Sequence, residues 1–351
     1  MHARDTSHVT PAMWRGRPLL NRNPPVVGAG ISAAAAALLY CASQLTVPCA
    51  HAATYPEKPI RLIVPFGAGG SADNLARTMQ AAWSKALGTP LVIDNRAGAS
   101  SIIGTDIAAH APADGYTVLL TTTTHSTNPS LILKLPYDAV KDFAMVSLLV
   151  SQPNLLCVHP SLAAKTVNEL VNLAKAKPNT LNFASGGSGS SPHLSGELFK
   201  IITGTQITHI PYKGTGPAAI DLASGQAQMM FAGPLVLESY VRSGRVRALA
   251  VADLRRLPAL PDVPTMAESG VAGVESGTWY GVLAPAAVPR TVIAILNRTL
   301  VQVIKSPDVE ARLIKQGVGI IASSPEEFHR YMIAEIAKWA KVIKQANIRP
   351  D

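Results

Sequence analysis

The segment Pro65-Phe66-Gly67-Ala68-Gly69-Gly70-Ser71-Ala72-Asp73 pairs small residues with an acid in a pattern suited to holding an anion. It follows the apolar run Ile60 to Val64 and precedes apolar residues at helical spacing from Asn74 to Leu87, so it reads as strand, glycine turn and helix start. Backbone N–H groups at such a turn converge with the positive end of the helix dipole. Glycines let the backbone approach a ligand, and a side chain at Gly69 is expected to block that approach. The loop also fits the dinucleotide fingerprint G-x-G-x-x-A at Gly67, Gly69 and Ala72, with Asp94 placed as a ribose-binding acid after the next strand. Two readings therefore stand on these residues: an anion-gripping loop, or a nicotinamide-dependent oxidoreductase.

A second loop, Ser185-Gly186-Gly187-Ser188-Gly189-Ser190-Ser191, holds the same place between a strand and a helix, and apolar periodicity resumes at Leu194, Leu198 and Phe199. Two such loops imply a ligand gripped from both sides. No G-x-S-x-G elbow is present, since residues 186 to 190 read Gly-Gly-Ser-Gly-Ser. His193 has no nucleophile with a matching acid and is expected to hydrogen-bond to the loop at the helix start. His110, His125, His159 and His209 are too far apart in sequence to point to a metal site, and paired cysteine motifs are lacking. We expect no catalytic residue, no metal and no cofactor.

The elements that must position these loops alternate. Strands are expected at Ile60 to Val64, Leu91 to Ile93 and Thr117 to Leu120, then at Leu181 to Ala184, Thr208 to Ile210, Met229 to Phe231 and Ala248 to Val251, with another at Trp279 to Leu283. The alternation predicts an α/β protein with mostly parallel sheets covered on both faces. Capping boxes at Thr166/Glu169 and Ser324/Glu327 announce helices, the second with Pro325 at its first position. Phe328, Met332, Ile336, Trp339 and Ile343 form one stripe on the last helix, as core packing requires.

The chain has 351 residues, 48% hydrophobic and 15% charged, enough for one large or two ordinary domains. Its basic residues are scattered, which excludes a nucleic-acid patch. Residues 1 to 52 have the layout of a secretory signal: arginines to Arg22, an apolar region around Ala33 to Leu39, and the small-x-small site Ala50-His51-Ala52. Ser32, Ser43, Gln44 and Pro48 interrupt that region short of the ~20 residues of a membrane span. Tyr40 is too bulky before Cys41 for lipid attachment, and Met1 and Met13 both stand as start positions. Cleavage after Ala52 leaves Cys157, in the apolar run Leu155 to Val158, as a buried small hydrophobe.

Several short motifs add a resemblance. Tyr55-Pro56-Glu57-Lys58-Pro59, the loop Pro65 to Asp73, Asn95-Arg96-Ala97-Gly98, Asp114-Gly115-Tyr116 and Leu135-Pro136-Tyr137-Asp138 occur in the order found in the receptors of the tripartite tricarboxylate transporters, the Bug or TctC family. The motifs continue with Lys141-Asp142-Phe143, Ser185 to Ser191, His193 to Glu197, His209 to Gly214, Pro261 to Thr265 and Trp279 to Val282. The resemblance implies a type II periplasmic-binding-protein-like fold. It has two α/β lobes, residues 53–156 with 277–351 and residues 157–276, joined by crossovers near Leu155 to His159 and Trp279 to Pro285, with a ligand cleft between them. It implies a periplasmic receptor, acting as a monomer, that captures a small organic carboxylate, a di- or tricarboxylate or an aromatic acid. Delivery to two integral membrane subunits follows, and a sensor for signalling is the other role the family allows. Carried over by motif, the binding residues are Phe66, Gly67, Ala68, Gly69, Gly70 and Asp73 from one lobe, with Ser185, Gly187, Ser188, Ser190, His193, Tyr212 and Lys213 from the other. Ala68 and Ala97 replace prolines frequent in the family. Ala232-Gly233-Pro234 lacks a frequent aspartate, which favours a plain organic acid over an amino acid.

Overall fold

The computed structural model describes residues 55–345 and Ile348. The expected signal segment, with Cys41 and Cys49, lies outside the described residues. The first lobe opens with β1 (Ile60–Val64), α1 (Ser71–Leu87), β2 (Leu91–Asn95), α2 (Ile102–Ala109), β3 (Thr117–Thr122), α3 (Thr124–Leu131) and β4 (Phe143–Pro153). The second comprises β5 (Leu155–Val158), α4 (Val167–Ala176), β6 (Asn182–Ser185), α5 (Ser191–Thr203), β7 (Thr208–Pro211), α6 (Thr215–Ser224), β8 (Met229–Ala232), α7 (Pro234–Arg242) and β9 (Arg247–Val251). The chain then returns to the first lobe as β10 (Gly277–Pro285), α8 (Arg290–Ile304), α9 (Pro307–Lys315), β11 (Gly319–Ile320) and α10 (Pro325–Gln345).

The two sheets run β11-β4-β10-β3-β1-β2 and β7-β6-β8-β5-β9. They are mixed, not mostly parallel as the alternation predicted. β1 is parallel to β2 and β3, and β6 to β7 and β8, but β10 is antiparallel to β3 and β4, and β5 to β8 and β9. The reversal has a simple cause. β5 and β10 enter their sheets from the opposite lobe rather than through a helical crossover, so they run against their neighbours.

Side-chain alternation builds a core on each face. Ile60, Leu62 and Val64 of β1 pack with Leu75, Met79 and Trp83 of α1 and Leu296 and Leu300 of α8, while Ile63 faces Ala108, Phe328 and Met332 on the other side. In β5, Leu156 and Val158 join one cluster and Leu155 and Cys157 the other. Cys157 is buried, and burial pushes its thiol pKa up, as a packing role requires. The stripe on α10 is largely internal, with Phe328, Met332 and Ile343 buried. The capping box forms as read, the Ser324 N–H donating to Glu327 Oε2 (2.8 Å) and the Glu327 N–H to Ser324 Oγ (3.2 Å).

The crossovers lie earlier than expected. The apolar runs Leu155 to Val158 and Trp279 to Leu283 are buried, paired strands, so the chain passes between sheets at Asn154 and Ser276 instead. Asn154 donates its N–H to Ser276 O (3.0 Å), Ala252 donates to Asn154 O (2.8 Å), and Ser276 donates to Ala252 O (2.9 Å). The Asn154 carboxamide also donates to Ser191 Oγ (2.7 Å) and Ser195 Oγ (2.9 Å).

Candidate functional site

The turn between β1 and α1 is braced from within. Asp73 is buried, and its Oδ2 accepts the Gly69 N–H (2.9 Å) and the Arg77 Nε–H (2.8 Å). Burial works to raise its pKa, but Arg77 and the Gly69 N–H together hold the carboxyl below the usual range. Gly69 has φ +73°, a left-handed conformation that favours glycine, and a Cβ built there meets nothing within 4 Å. The backbone conformation thus accounts for glycine at this position, and the Cβ direction is open.

The face of this turn that approaches the second lobe is formed by its neighbours. Gly67 donates its N–H to Lys213 O (2.8 Å), and Ser71 donates its N–H to Thr215 Oγ1 (3.0 Å). A Cβ on Gly67 would lie 2.9 Å from Lys213 O, and one on Gly216 would lie 2.6 Å from Ala68 O. The two lobes thus touch backbone to backbone.

In the second loop, Ser185 Oγ accepts the Gly187 N–H (3.1 Å) and lies 2.7 Å from His209 Nε2. Ser190 donates its hydroxyl to Gly187 O (2.6 Å) and accepts the His193 N–H (3.4 Å). His193 is buried, and its Nδ1 accepts the Gly189 N–H (3.0 Å), the loop-bracing role read from sequence. It also stacks on His209 with ring centroids 4.1 Å apart. Sequence distance had kept these histidines apart; the pairing of β6 with β7 brings them together. Among the described residues no group of three or more His, Cys, Asp or Glu is placed to hold a metal ion.

Beside the glycine loops, two cavities lie between the lobes. The smaller, of about 30 Å³, is walled by the first residues of several helices: Ser71 and Ala72 of α1, Thr124 of α3, Ser191 and Pro192 of α5 and Thr215 of α6, with Gly233 just ahead of α7. Phe66, Thr122, Gly186, Ser190, Thr278 and Tyr280 complete the wall, and no lining residue is charged. At about 10–15 Å³ per water it has room for a carboxylate-sized group. Helix N-termini present donors and partial positive charge, so the cavity favours an anion without a cationic side chain. The larger cavity, of about 220 Å³, is walled by residues 98–101 on one side and by residues 186–188 and 211–213 on the other, with Pro65 and Phe66 between.

The residues carried over by motif divide by role. Phe66 lines both cavities, Ser190 the smaller, and Gly187, Ser188, Tyr212 and Lys213 the larger. Gly67, Ala68 and Gly70 form the lobe contact, while Gly69, Asp73, Ser185 and His193 shape the loops and line neither cavity. The Tyr212 hydroxyl donates to Asp221 (2.7 Å), and burial followed by that acid pushes its pKa up to about 12. Sequence reasoning missed Ser71, Thr122, Thr124, Ser191, Thr215, Gly233, Thr278 and Tyr280. Tyr280 and Gly233 stood in motifs already noted; the threonines carried no signal. Asp94 cannot serve a ribose, because Arg61 (2.8 and 2.5 Å) and Arg96 (2.9 Å) occupy its carboxylate.

The model of the tripartite tricarboxylate transporter family receptor matches residues 75–348. The chain belongs to that family. Receptors of this family bind solutes in the periplasm and are not enzymes, which sets aside the nicotinamide reading. The solved structure of the periplasmic binding protein BugD is 33% identical, with TM-score 0.82 over 85% of this chain and 100% of that one. A Rhodopseudomonas palustris protein, Rpa4515 with adipate, is 37% identical, also at TM-score 0.82 with the same coverage. MatC from Rhodopseudomonas palustris with bound malate is 32% identical, at TM-score 0.79 over 82% of this chain and 100% of that one. The two-lobed, type II periplasmic-binding-protein architecture of this receptor is shared with them.

Proposed function

We propose that this receptor captures a small dicarboxylate in the inter-lobe cleft and delivers it to two integral membrane subunits of a tripartite transporter. One observation carries the reading: a charge-free cavity between the lobes, walled by helix N-termini and hydroxyls. One carboxylate sits in that cavity, and the rest of the ligand extends past Phe66 toward the larger one. Adipate and malate, held by two similar solved structures, are both dicarboxylates. In this reading residues 1–52 direct export and are removed after Ala52, and the mature receptor acts as a monomer.

A sample denatured and refolded to remove endogenous ligand tests the proposal by its melting temperature with adipate, malate, citrate or NAD+. Binding confined to the native state stabilises by about 2.7 kcal/mol at a hundredfold excess over Kd. A dicarboxylate is expected to raise the transition and NAD+ to leave it in place. A shift with NAD+ and none with any acid overturns the reading.

A further inference from the structure

Gln152 is the penultimate residue of β4, two positions before the crossover at Asn154, and its carboxamide reaches from there to the wall of the smaller cavity. Its Oε1 accepts the Leu235 N–H (3.0 Å) at the start of α7. A backbone N–H can only donate, so this bond fixes which end of the carboxamide faces which partner. The Nε2 end then faces the Tyr280 hydroxyl oxygen at 2.6 Å and donates to it. Tyr280 is 2% exposed and lines the smaller cavity together with Ser71 and Thr278. Having accepted from Gln152, the phenol keeps its single proton for that side, where the Ser71 and Thr278 hydroxyls also hydrogen-bond to it along the cavity wall. The arrangement needs glycine at 233, since a Cβ there would lie 2.1 Å from the Gln152 carboxamide carbon.

We propose that Gln152 is a positioning residue that fixes Tyr280 as a proton donor to the bound ligand, making this end of the cleft selective for an ionised carboxylate over a carboxamide. A carboxamide has one oxygen where a carboxylate has two, so turning that oxygen to Tyr280 leaves its NH2 group against the helix N-termini of the same wall, where donor meets donor. Burial raises the Tyr280 pKa, so the phenol keeps its proton across the physiological range. The inference rests on the smaller cavity being the carboxylate site.

The test is calorimetric titration of wild type, Tyr280→Phe, Gln152→Glu and Gln152→Met with adipate and with its diamide, adipamide. Tyr280→Phe keeps the ring packing and loses one hydrogen bond to a charged group, so adipate affinity is expected to fall about 10- to 100-fold and the preference for acid over amide to narrow. In Gln152→Glu the carboxylate accepts both the Leu235 N–H and the Tyr280 proton, turning phenol lone pairs toward the ligand. The preference is then expected to narrow at least as far at pH 8 and to recover toward pH 5, as the new acid takes up a proton, while the wild-type preference is not restored in this way because it was never lost. Because Gln152→Glu also sets a negative charge beside the anion, Gln152→Met, which removes the bond to Tyr280 without adding charge, decides the matter: the preference for acid over amide is expected to narrow there too, and equal weakening of both ligands in Gln152→Met overturns the proposal while leaving the receptor reading intact. A wild type that binds no dicarboxylate overturns both.

Discussion

The Gly67 N–H donates to the Lys213 carbonyl oxygen at 2.8 Å, joining the two lobes through peptide groups alone. The same face holds Gly70 beneath Thr215 and Gly216 beneath the Ala68 carbonyl. The closed cleft is thus defined by positions where a Cβ has no room, and the ligand needs only to favour that arrangement over the open one.

Gly216→Ala tests this contact. The added methyl meets the Ala68 carbonyl at 2.6 Å and the Gly70 nitrogen at 2.8 Å, backbone atoms that cannot rotate aside. Gly216 lies in the first turn of α6, where alanine is better by up to about 1 kcal/mol in helix propensity. The variant is expected to melt no lower than wild type, bind a dicarboxylate at least tenfold more weakly and show no fall in radius of gyration on adding it. Normal affinity with normal compaction in small-angle scattering would sink the idea.

Gly69→Ala separates strain from steric block. With φ +73° and open space around the Cβ, the cost is conformational, about 1–2 kcal/mol, and falls on stability. Urea unfolding is expected to shift by that amount while ligand affinity changes less than threefold. A large loss of affinity at unchanged stability would place Gly69 against the ligand after all.

Asp73 links the loop to acid stability. Its folded pKa is depressed, so its contribution is complete above its unfolded value of about 3.9 and is lost as pH falls through the folded value. Asp73→Asn is expected to lower the melting temperature at pH 7 and to leave a difference from wild type that shrinks below about pH 4. A gap that is constant with pH would contradict the ionised brace.

His125 gives a second, higher pH window. It is fully buried against Tyr137 and Phe143 and donates from Nε2 to Ala139 O (2.9 Å); burial outweighs that bond and pushes its pKa down to about 4. A depressed histidine pKa means that the unfolded state binds the extra proton first. Stability is then expected to fall as pH drops from about 6.5 toward 4, by on the order of 3 kcal/mol. His125→Gln, which can still donate to Ala139, should flatten that slope in denaturant titrations; a slope unchanged by the substitution rules His125 out as its source.

Much of the fold was legible because its strands are short apolar runs and its helices have caps and stripes. β1, β8 and α10 announce themselves in this way. What escaped was the polar interior. The sequence Thr124-His125-Ser126-Thr127-Asn128-Pro129-Ser130-Leu131 has no apolar face and contains a proline, yet it forms α3 with most of its residues buried. Some of its side chains bond locally, as Ser126 Oγ does to Thr123 O (2.7 Å), and others across the fold, as Thr127 Oγ1 does to Gly189 O (2.7 Å), which no periodicity reveals. The glycine loops were read as the grip itself, but several of their residues hold the lobes together. The cavity walls combine loop residues such as Phe66, Gly187, Ser188 and Ser190 with the first residues of helices whose spatial convergence depends on topology.

The lacing of Asn154 to Ser276, with Ala252 bonded to each, has a mechanical meaning. Two independent linkers would let one lobe swivel in several directions. Joined side by side, they behave as a ribbon that bends readily across its plane and resists twisting. Lobes joined in this way are expected to move along a single arc, so that closing returns the same edges into register rather than one of a continuum of outlines.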